Sequence, residues 1–417
     1  MFSFLLHFQS CALNLKLLAE DIVDTYTLSF PASLKQGTLP EDWKTAKIIP
    51  LFKKGNKFMP ENYRPVSLTS ISCKLLEHII YSNVMDHLEK HCILTNIQHG
   101  FRQKRSCETQ LLTTVSEFTE CLNNRSQIDS ILLDFSKAFD KVDHKGLILK
   151  LEAYGIRQKP LNWIRSFLLN RTQKVIIDGT ESDTSNVLSG VPQGTVLGPI
   201  LFLIYINDIC SNLNPGTKLR LFADDSFLYR EIKSNQDNKL LQEDLNTLQR
   251  WEMKWKMEFH PDKCQVLRIT NKRKPIPASY TIHNKTLNET NQAKYLGVII
   301  DSKLQWNYQN KYICKKTNNV LGFLRRNTSS LPKTVKENCY KTLVKPVIEY
   351  GCSVWDPHTK DQISNLDKIQ KSAARYVLND YTFEKGATNT NMNKLGWISL
   401  QEQRAKIKVT NFLQRTK

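Results

Sequence analysis

The sequence lacks the signatures of several common classes of protein. Its ten cysteines are scattered, with no Cys-x-x-Cys pair and no cysteine and histidine cluster at zinc-binding spacing. A structural zinc site is therefore disfavoured, and free thiols in a reducing, intracellular compartment are expected. The longest apolar run, around Val196 to Ile206, falls well short of the roughly 20 residues that cross a bilayer, so no membrane span is expected.

Acidic residues are scarce beside basic ones. The 417 residues include 59 lysines and arginines but only 40 aspartates and glutamates, a net charge of +19. Residues 302–417 alone hold 21 basic and 8 acidic side chains, a net of +13. Such a basic region suits a polyanionic partner such as nucleic acid, and a solvated surface is the plain alternative. The length and the 40% of hydrophobic residues predict two or three packed subdomains.

The spacing of apolar residues predicts a protein of mixed α and β structure. Helical spacing covers residues 14–34, 72–89, 144–154, 161–169 and 200–209, and short apolar runs predict strands at 46–52, 128–133, 218–222 and 227–230. The apolar residues 1–8 are interpreted as a further core helix, because no basic leader accompanies them. Beyond Trp306 the pattern is helical and basic, as in residues 366–378, where apolar and cationic side chains occupy different faces.

Three aspartates lie where predicted strands end. Asp134 follows the strand at 128–133, and Asp224 and Asp225 occupy the tight turn between the strands at 218–222 and 227–230. Adjacent strands could bring all three to one sheet edge, where carboxylates suit two Mg²⁺ ions, with Mn²⁺ as an alternative. Two such ions would suit the joining of a 3′-hydroxyl to a nucleoside triphosphate, because they activate the hydroxyl and neutralise the leaving pyrophosphate. An ordinary turn also favours aspartate, but paired like charges between apolar flanks are costly without a cation.

Seven segments carry recognisable motifs in a fixed order. Two of them hold the aspartates, namely Leu133-Asp134-Phe135-Ser136-Lys137-Ala138-Phe139-Asp140 and Phe222-Ala223-Asp224-Asp225. The other five are residues 49–55 (IPLFKKG), 62–68 (NYRPVSL), 189–194 (SGVPQG), 259–264 (FHPDKC) and 295–297 (YLG). Together they resemble the reverse transcriptases of non-LTR (LINE-type) retrotransposons, most closely the jockey/CR1-like group, over nearly the whole chain.

This resemblance implies an α+β right-hand polymerase with an antiparallel palm sheet and a helical, basic thumb. Residues 1–126 would form N-terminal helices and fingers, residues 127–301 the palm with a fingers insertion at about 155–188, and residues 302–417 the thumb. The implied function is RNA-directed DNA synthesis, with an RNA template, a DNA primer or target and dNTPs as partners. Nuclear access is implied only by the family's way of life, and the sequence indicates no particular oligomeric state.

The resemblance also implies roles for the residues of the chemical step. Asp134 and Asp224 would bridge the two metal ions, Asp225 would complete the carboxylate set, and the backbone carbonyl of Phe135 would be a further ligand. Lys263 would protonate the departing pyrophosphate, a role for which a lysine near a metal site is suitable. An exposed lysine at a strand end is the alternative for Lys263.

Further positions are implied to contact the nucleotide. Phe139 would be the steric gate that excludes a 2′-hydroxyl, with core packing as its alternative. Lys53 and Arg64 would contact the triphosphate, and Lys54 competes with Lys53 for that assignment. Gln193 would contact the nucleotide or template, and the glycines at 190 and 194 (Gly190, Gly194) would allow close backbone approach. The same loop could instead merely cap the following helix.

The implied primer grip is the turn Tyr295-Leu296-Gly297, and the basic helices after it would follow duplex phosphates without reading sequence. Trp306, Tyr308 and Tyr312 interleave with lysines and could stack on bases or sugars. Packing in a helical core explains these aromatics equally well.

Two alternatives to this function remain open. A group II intron or retron reverse transcriptase is disfavoured by the run Ser136 to His144, and a catalytically silent nucleic-acid-binding remnant is disfavoured because every motif keeps its functional residues. Family members usually carry an endonuclease domain before the polymerase and a cysteine/histidine knuckle after the thumb. Neither occurs in this sequence, so we expect a partial reading frame that could polymerise but not nick its target.

Overall fold

The computed structural model describes residues 19–382 and 387–415. The helix predicted over residues 1–8 and the first residues of the one predicted over 14–34 lie outside these ranges. Within the described residues the chain forms two compact units. Unit 1 comprises the chain up to Phe101 together with Phe135–Ser211 and Arg250–Glu258, and unit 2 comprises Arg102–Asp134, Asn212–Gln249 and the chain from Phe259 onward.

The first half of the chain alternates helices and short strands. Its elements are α1 (Ala19–Gln36), β1 (Thr45–Phe52), β2 (Tyr63–Leu68), α2 (Ile71–Lys90), α3 (Cys107–Asn123), β3 (Gln127–Leu133), α4 (His144–Ala153), α5 (Gln158–Leu168), β4 (Arg171–Ile177), β5 (Thr180–Glu181), β6 (Ser185–Val187) and α6 (Leu197–Ile206). Short 3₁₀ turns occur at Glu41–Trp43, Pro60–Asn62 and Ala138–Lys141.

The second half begins with strands and ends in helices. Its elements are β7 (Thr217–Phe222), β8 (Asp225–Glu231), α7 (Asn235–Trp255), β9 (Gln265–Thr270), β10 (Thr281–Ile282), β11 (Lys285–Thr286), β12 (Asn288–Thr290), β13 (Gln292–Tyr295), β14 (Val298–Asp301), α8 (Asn307–Asn327), α9 (Lys333–Cys339), α10 (Lys345–Glu349), α11 (Cys352–Trp355), α12 (Lys360–Leu378), α13 (Ala387–Lys394) and α14 (Leu400–Arg415). A π-helical turn, Tyr340–Val344, joins α9 to α10.

The core of unit 1 surrounds α6. Every residue of this helix except Pro199 is buried, as expected for a helix that is apolar on all sides. The sheet of unit 1 has the strand order β2-β1-β4-β5, with β6 also paired to β4. Strand β1 runs antiparallel to β2 and parallel to β4, and it buries alternate residues, Ala46 and Ile48.

The main sheet of unit 2 has the strand order β12-β9-β3-β8-β7 and is antiparallel except for the pair β12 and β9. Its central strand β3 is almost entirely buried, although it contains polar residues. Asp129 there accepts hydrogen bonds from Tyr280 Oη at 2.8 Å and Gln127 Nε2 at 2.9 Å, and pairs with Arg268 at 3.2 Å. These contacts offset the cost of burying a carboxylate.

Helices and strands share one core in unit 2. The ring of Phe118 in α3 contacts Phe227 and Tyr229 of β8 edge-on, with centroid distances of 5.8 and 5.1 Å. The predicted apolar face of the helix over residues 366–378 is confirmed, since α12 buries Leu366, Ile369, Ala373 and Val377.

The predicted class of fold is confirmed: the described chain mixes helices with a mainly antiparallel sheet. The strands predicted from apolar runs are β1, β3, β7 and β8, with ends that differ by at most a few residues. No helix within residues 19–382 and 387–415 is long and apolar enough to span a membrane. Nine of the ten cysteines lie in these ranges, and all nine are free thiols. The boundaries of fingers, palm and thumb stay a prediction.

Candidate active site

Three carboxylates meet at one end of the main sheet of unit 2. Leu133, the last residue of β3, pairs with Ser226 of β8, so Asp134 and Asp225 are the next positions along the same antiparallel register. Phe222 of β7 pairs with Asp225 and leaves only Ala223 and Asp224 in the turn. The strand pairing therefore brings together the three aspartates that the sequence singled out.

The turn itself has an unusual backbone. Ala223 adopts a φ of 54°, in the left-handed region that a residue with a side chain rarely occupies, at a cost of about 1 kcal/mol. Ala223 is also buried, and Ser226 Oγ donates to the Asp224 carbonyl at 3.3 Å. A tight two-residue connection thus fixes the directions in which Asp224 and Asp225 leave the sheet.

The electrostatics of the cluster favour a bound cation. Desolvation by surrounding protein atoms, followed by the negative charges of Asp224 and Asp134, raises the pKa of Asp225 from 3.8 to about 6. By surface area Asp225 is still exposed, so its carboxyl is crowded rather than sealed from water. Like charges held this close would release repulsion on binding a divalent ion, which fits the predicted metal role.

No group of three or more His, Cys, Asp or Glu side chains among the described residues is arranged as a ready-made metal cage. A magnesium ion that keeps several waters and substrate oxygens does not need one.

Lys263 Nζ lies 3.8 Å from Asp134 Oδ2, and both side chains are about half exposed. Asp134 is also fixed through its carbonyl, which accepts from the backbone N–H of His260 at 2.8 Å.

Phe135 and Phe139 belong to unit 1. Phe135 is buried, with its ring 6.3 Å from that of Trp251. Phe139 is half-buried, stacks on the buried ring of Phe202 at 4.4 Å and meets Phe101 edge-on at 6.4 Å. One side of the Phe139 ring therefore has core packing, and its role as a steric gate stays a prediction.

The loop that carries Gln193 is held from several sides within unit 1. The backbone N–H of Ser67 in β2 donates to the Gln193 carbonyl at 2.7 Å. The Gln193 side chain donates through Nε2 to Asp140 Oδ1 at 3.0 Å. Asp140 was part of a motif in the sequence, but nothing there indicated that it would orient Gln193.

Close packing inside unit 1 explains why this loop has glycine at two positions. Gly190 has a φ of 87°, and a Cβ there would lie 2.8 Å from the Cα of Asp140. Gly194 has a φ of 104°, and a Cβ there would lie 2.9 Å from the Ser67 carbonyl oxygen. Any larger residue would displace backbone at either position, independently of any template contact.

Glu77 is a residue that sequence reasoning missed. It is fully buried in α2, and its Oε2 accepts from the backbone N–H groups of Val196 and Leu197 at 2.7 and 3.0 Å. Burial raises the pKa of Glu77 despite these hydrogen bonds, which lower it. The first turn of α6 is therefore capped from α2, and no local sequence signal announces a partner more than 100 residues away.

The predicted triphosphate contacts lie on the β1–β2 hairpin. Arg64 pairs with Leu51 across the two strands, and the backbone N–H of Lys53 donates to the Asn62 carbonyl at 2.8 Å. Lys53, Lys54 and Arg64 are all exposed. This hairpin presents three cations to solvent, and the choice between Lys53 and Lys54 stays open.

The predicted primer-grip segment forms a tight hairpin turn in unit 2. Tyr295 pairs with Val298, and the two residues between them, Leu296 and Gly297, have φ values of 44° and 85°. The Tyr295 ring is buried and lies 4.7 Å from Phe227, and Tyr350 Oη donates to the Leu296 carbonyl at 2.7 Å. The buried Tyr295 ring is therefore not presented to a ligand, and the primer-grip role of the turn stays a prediction.

The aromatic residues after this turn divide into two kinds. Trp306 is buried at the start of α8, whereas Tyr308 is exposed. Tyr312 Oη accepts a hydrogen bond of 3.0 Å from Lys294 Nζ. Core packing thus accounts for Trp306, and Tyr312 has Lys294 Nζ 4.7 Å from its ring centroid. Of the three aromatic residues, only Tyr308 is exposed.

The family model for reverse transcriptase (RNA-dependent DNA polymerase) matches residues 52–300. The chain belongs to this family. The matched range contains all seven motifs except the first few residues of the segment at 49–55, and it includes the three clustered aspartates. The resemblance inferred from the motifs is confirmed, and with it the right-hand polymerase fold of the family.

Curated relatives are similar along most of the chain. The probable RNA-directed DNA polymerase from transposon BS of Drosophila melanogaster is 29% identical over 91% of this chain and 43% of its own length. The RNA-directed DNA polymerase from mobile element jockey of Drosophila funebris is 30% identical over 87% of this chain and 41% of its own length. The chain thus spans about two fifths of these relatives. A solved structure of apo telomerase from Candida tropicalis superposes with a TM-score of 0.48 at 11% identity, over 87% of this chain and 63% of that one.

Proposed function

We propose that the chain is the RNA-directed DNA polymerase of a non-LTR retrotransposon, adding dNTPs to the 3′-hydroxyl of a DNA primer on an RNA template. The observation that carries this proposal is the convergence of Asp134, Asp224 and Asp225 at one sheet edge, with the pKa of Asp225 raised to about 6 after desolvation and repulsion by the other two. Family membership supports it.

The carboxylate cluster would hold two divalent ions, Mg²⁺ or Mn²⁺, with the Phe135 carbonyl as a further ligand. When bound, such ions lower the pKa of the primer hydroxyl and neutralise the leaving pyrophosphate. Lys263, whose ammonium lies beside Asp134, would donate the proton that the pyrophosphate takes up. The side chains of Lys263 and Asp134 are both about half exposed, so substrate could reach them in the folded chain.

Residues of unit 1 would select and orient the nucleotide. Phe139 would lie under the sugar and exclude a 2′-hydroxyl, since its ring is backed by Phe202 and cannot retreat without repacking. Arg64 and Lys53 would bind the triphosphate, and Gln193 would contact the nucleotide or the template. The turn Leu296-Gly297 would support the primer end through its backbone.

Template-directed extension tests this function. Purified chain would be given oligo(dT) annealed to poly(rA), Mg²⁺ and one labelled dNTP at a time. We expect extension with dTTP and none with dGTP, dCTP or dATP. Absence of extension by a folded chain that binds the duplex, in Mg²⁺ and in Mn²⁺, would contradict the proposal and favour a nucleic-acid-binding remnant.

A further inference from the structure

The tip of the β1–β2 hairpin carries Phe58, the most exposed large hydrophobic side chain among the described residues. Phe58 exposes 92% of its surface, and its neighbour Met59 exposes 49%. A phenyl ring left in water forgoes the favourable free energy of burial. Isolated exposed apolar residues are ordinary, but Phe58 and Met59 are adjacent and both exposed at this tip.

Hydrogen bonds hold this tip in one conformation. The Phe58 backbone N–H donates to Asn56 Oδ1 at 3.0 Å, and Asn62 Nδ2 donates to the Asn56 carbonyl at 2.8 Å. Tyr63 Oη donates to the Lys57 carbonyl at 2.8 Å. The ring is therefore presented by an ordered turn, and little conformational entropy would be lost when a ligand contacts it.

The surroundings of Phe58 are cationic. Residues 53–64 contain four basic side chains, Lys53, Lys54, Lys57 and Arg64, against the single acidic residue Glu61, and all four basic residues are exposed. Aromatic rings among cations are the combination with which proteins bind single-stranded nucleic acid, because bases stack on the rings while the phosphates meet the charges. A purely apolar protein partner would not need these charges.

We propose that Phe58, flanked by Lys54 and Lys57, is a stacking site for an unpaired base of single-stranded RNA. The strand must be single, because only an unstacked base offers its face to a protruding ring. The identification of this strand as the template rests on the proposed function. The binding itself requires no metal ion, primer or dNTP, so it can be measured separately from synthesis.

Binding of a fluorescently labelled, unstructured RNA oligonucleotide to the full chain in EDTA tests the proposal. Phe58→Ala should weaken the affinity about tenfold or more, and Phe58→Trp should restore it. Leu28→Ala, which removes another exposed side chain (76%) from α1, is the matched control and should bind as the wild type does. Lys57→Ala should make the slope of log affinity against log salt concentration shallower, by the amount expected for one lost phosphate contact. Phe58→Ala should leave this slope unchanged.

The same titration with an oligonucleotide of abasic nucleotides separates stacking from other effects. Phe58→Ala and wild type should bind abasic RNA equally. If Phe58→Ala lost as much affinity for abasic RNA as for intact RNA, the stacking site would be overturned. Unchanged affinity of Phe58→Ala for intact RNA would also overturn it. Reduced self-association of Phe58→Ala with unchanged RNA affinity would assign the tip to a contact between copies of the chain and also overturn it. A chain that shows the predicted stacking but never extends a primer would contradict only the proposed function.

Discussion

Gln193 Nε2 donates a hydrogen bond of 3.0 Å to Asp140 Oδ1, and this contact determines which end of the Gln193 amide points toward Asp140. A carboxylate only accepts hydrogen bonds, so the NH₂ group must face it. The side-chain oxygen of Gln193, Oε1, is therefore the end of the amide that points away from Asp140. A residue that the motifs left without a role thereby orients one that they singled out.

Replacing Asp140 should therefore weaken nucleotide use through Gln193. We expect Asp140→Ala to raise the KM for dNTP about fivefold, the equivalent of one lost hydrogen bond, with a smaller change in kcat. Asp140→Asn can still accept the hydrogen bond through its Oδ1, so its KM should stay close to the wild-type value. Single-nucleotide addition kinetics measure both constants, and Asp183→Ala, at an exposed loop position, is the control. An unchanged KM in Asp140→Ala would show that the contact does not serve nucleotide binding.

Glu77 provides a prediction about stability. Glu77→Ala leaves the part-buried N–H of Val196 and the buried N–H of Leu197 without their acceptor, which should destabilise the protein by about 2 kcal/mol. Glu77→Gln can turn its carbonyl oxygen toward the same groups and should cost less. Thermal unfolding of the full chain measures the difference, with the exposed Glu120→Ala as control. Equal melting temperatures for wild type and Glu77→Ala would show that α6 does not depend on this cap.

Asp225 makes the stability of the metal-free protein depend on pH. Its pKa is raised from 3.8 to about 6, so between these values the folded state binds a proton that the unfolded state has released. Stability should therefore fall as the pH rises through this window. Asp225→Asn removes the effect. Its advantage over wild type in free energy of unfolding should be larger at pH 7 than at pH 4.5, by up to about 1 kcal/mol after solvent screening. Melting curves in EDTA measure this. A constant difference across the window would mean that neither desolvation nor the charges of Asp224 and Asp134 raise the pKa of Asp225.

The steric gate can be tested with ribonucleotides. Phe139→Ala opens space beside Phe202 and should increase the efficiency of ribonucleotide addition relative to deoxynucleotide addition about tenfold or more. Phe139→Tyr keeps the bulk of the ring and should discriminate as the wild type does. The ratio of kcat/KM for UTP and dTTP on poly(rA)/oligo(dT) is the measurement. An unchanged ratio in a folded Phe139→Ala variant would leave the ring with core packing alone.

The sequence predicts those features that depend on local pattern. The apolar run of β3 stops at Asp134, and the turn between β7 and β8 holds Asp224, so strand prediction alone places the carboxylates at strand ends. Contacts across long separations could not be predicted in this way. The cap from Glu77 to α6, the burial of Tyr295 against Phe227 and the orientation of Gln193 by Asp140 follow from tertiary packing, to which apolar periodicity gives no access.

Aromatic residues show the same limit. Trp306, Tyr308 and Tyr312 have one sequence signature, yet only Trp306 is buried in the core. Phe58 drew no attention in the sequence because a single aromatic residue in a lysine-rich loop has no periodicity. Its exposure at an ordered tip is visible only in the folded chain.

We propose that Asp134, Asp224 and Asp225 form the metal centre of a reverse transcriptase, and a single-nucleotide addition assay with Asp224→Asn tests this role. The assay compares wild type, Asp224→Asn and the control Asp183→Asn at equal duplex occupancy on an RNA template with Mg²⁺. We predict that wild type and Asp183→Asn add dTTP, and that Asp224→Asn adds none while binding the duplex as tightly. Nucleotide addition by a folded Asp224→Asn at the wild-type rate would contradict the claim, because synthesis would then not depend on the carboxylate cluster.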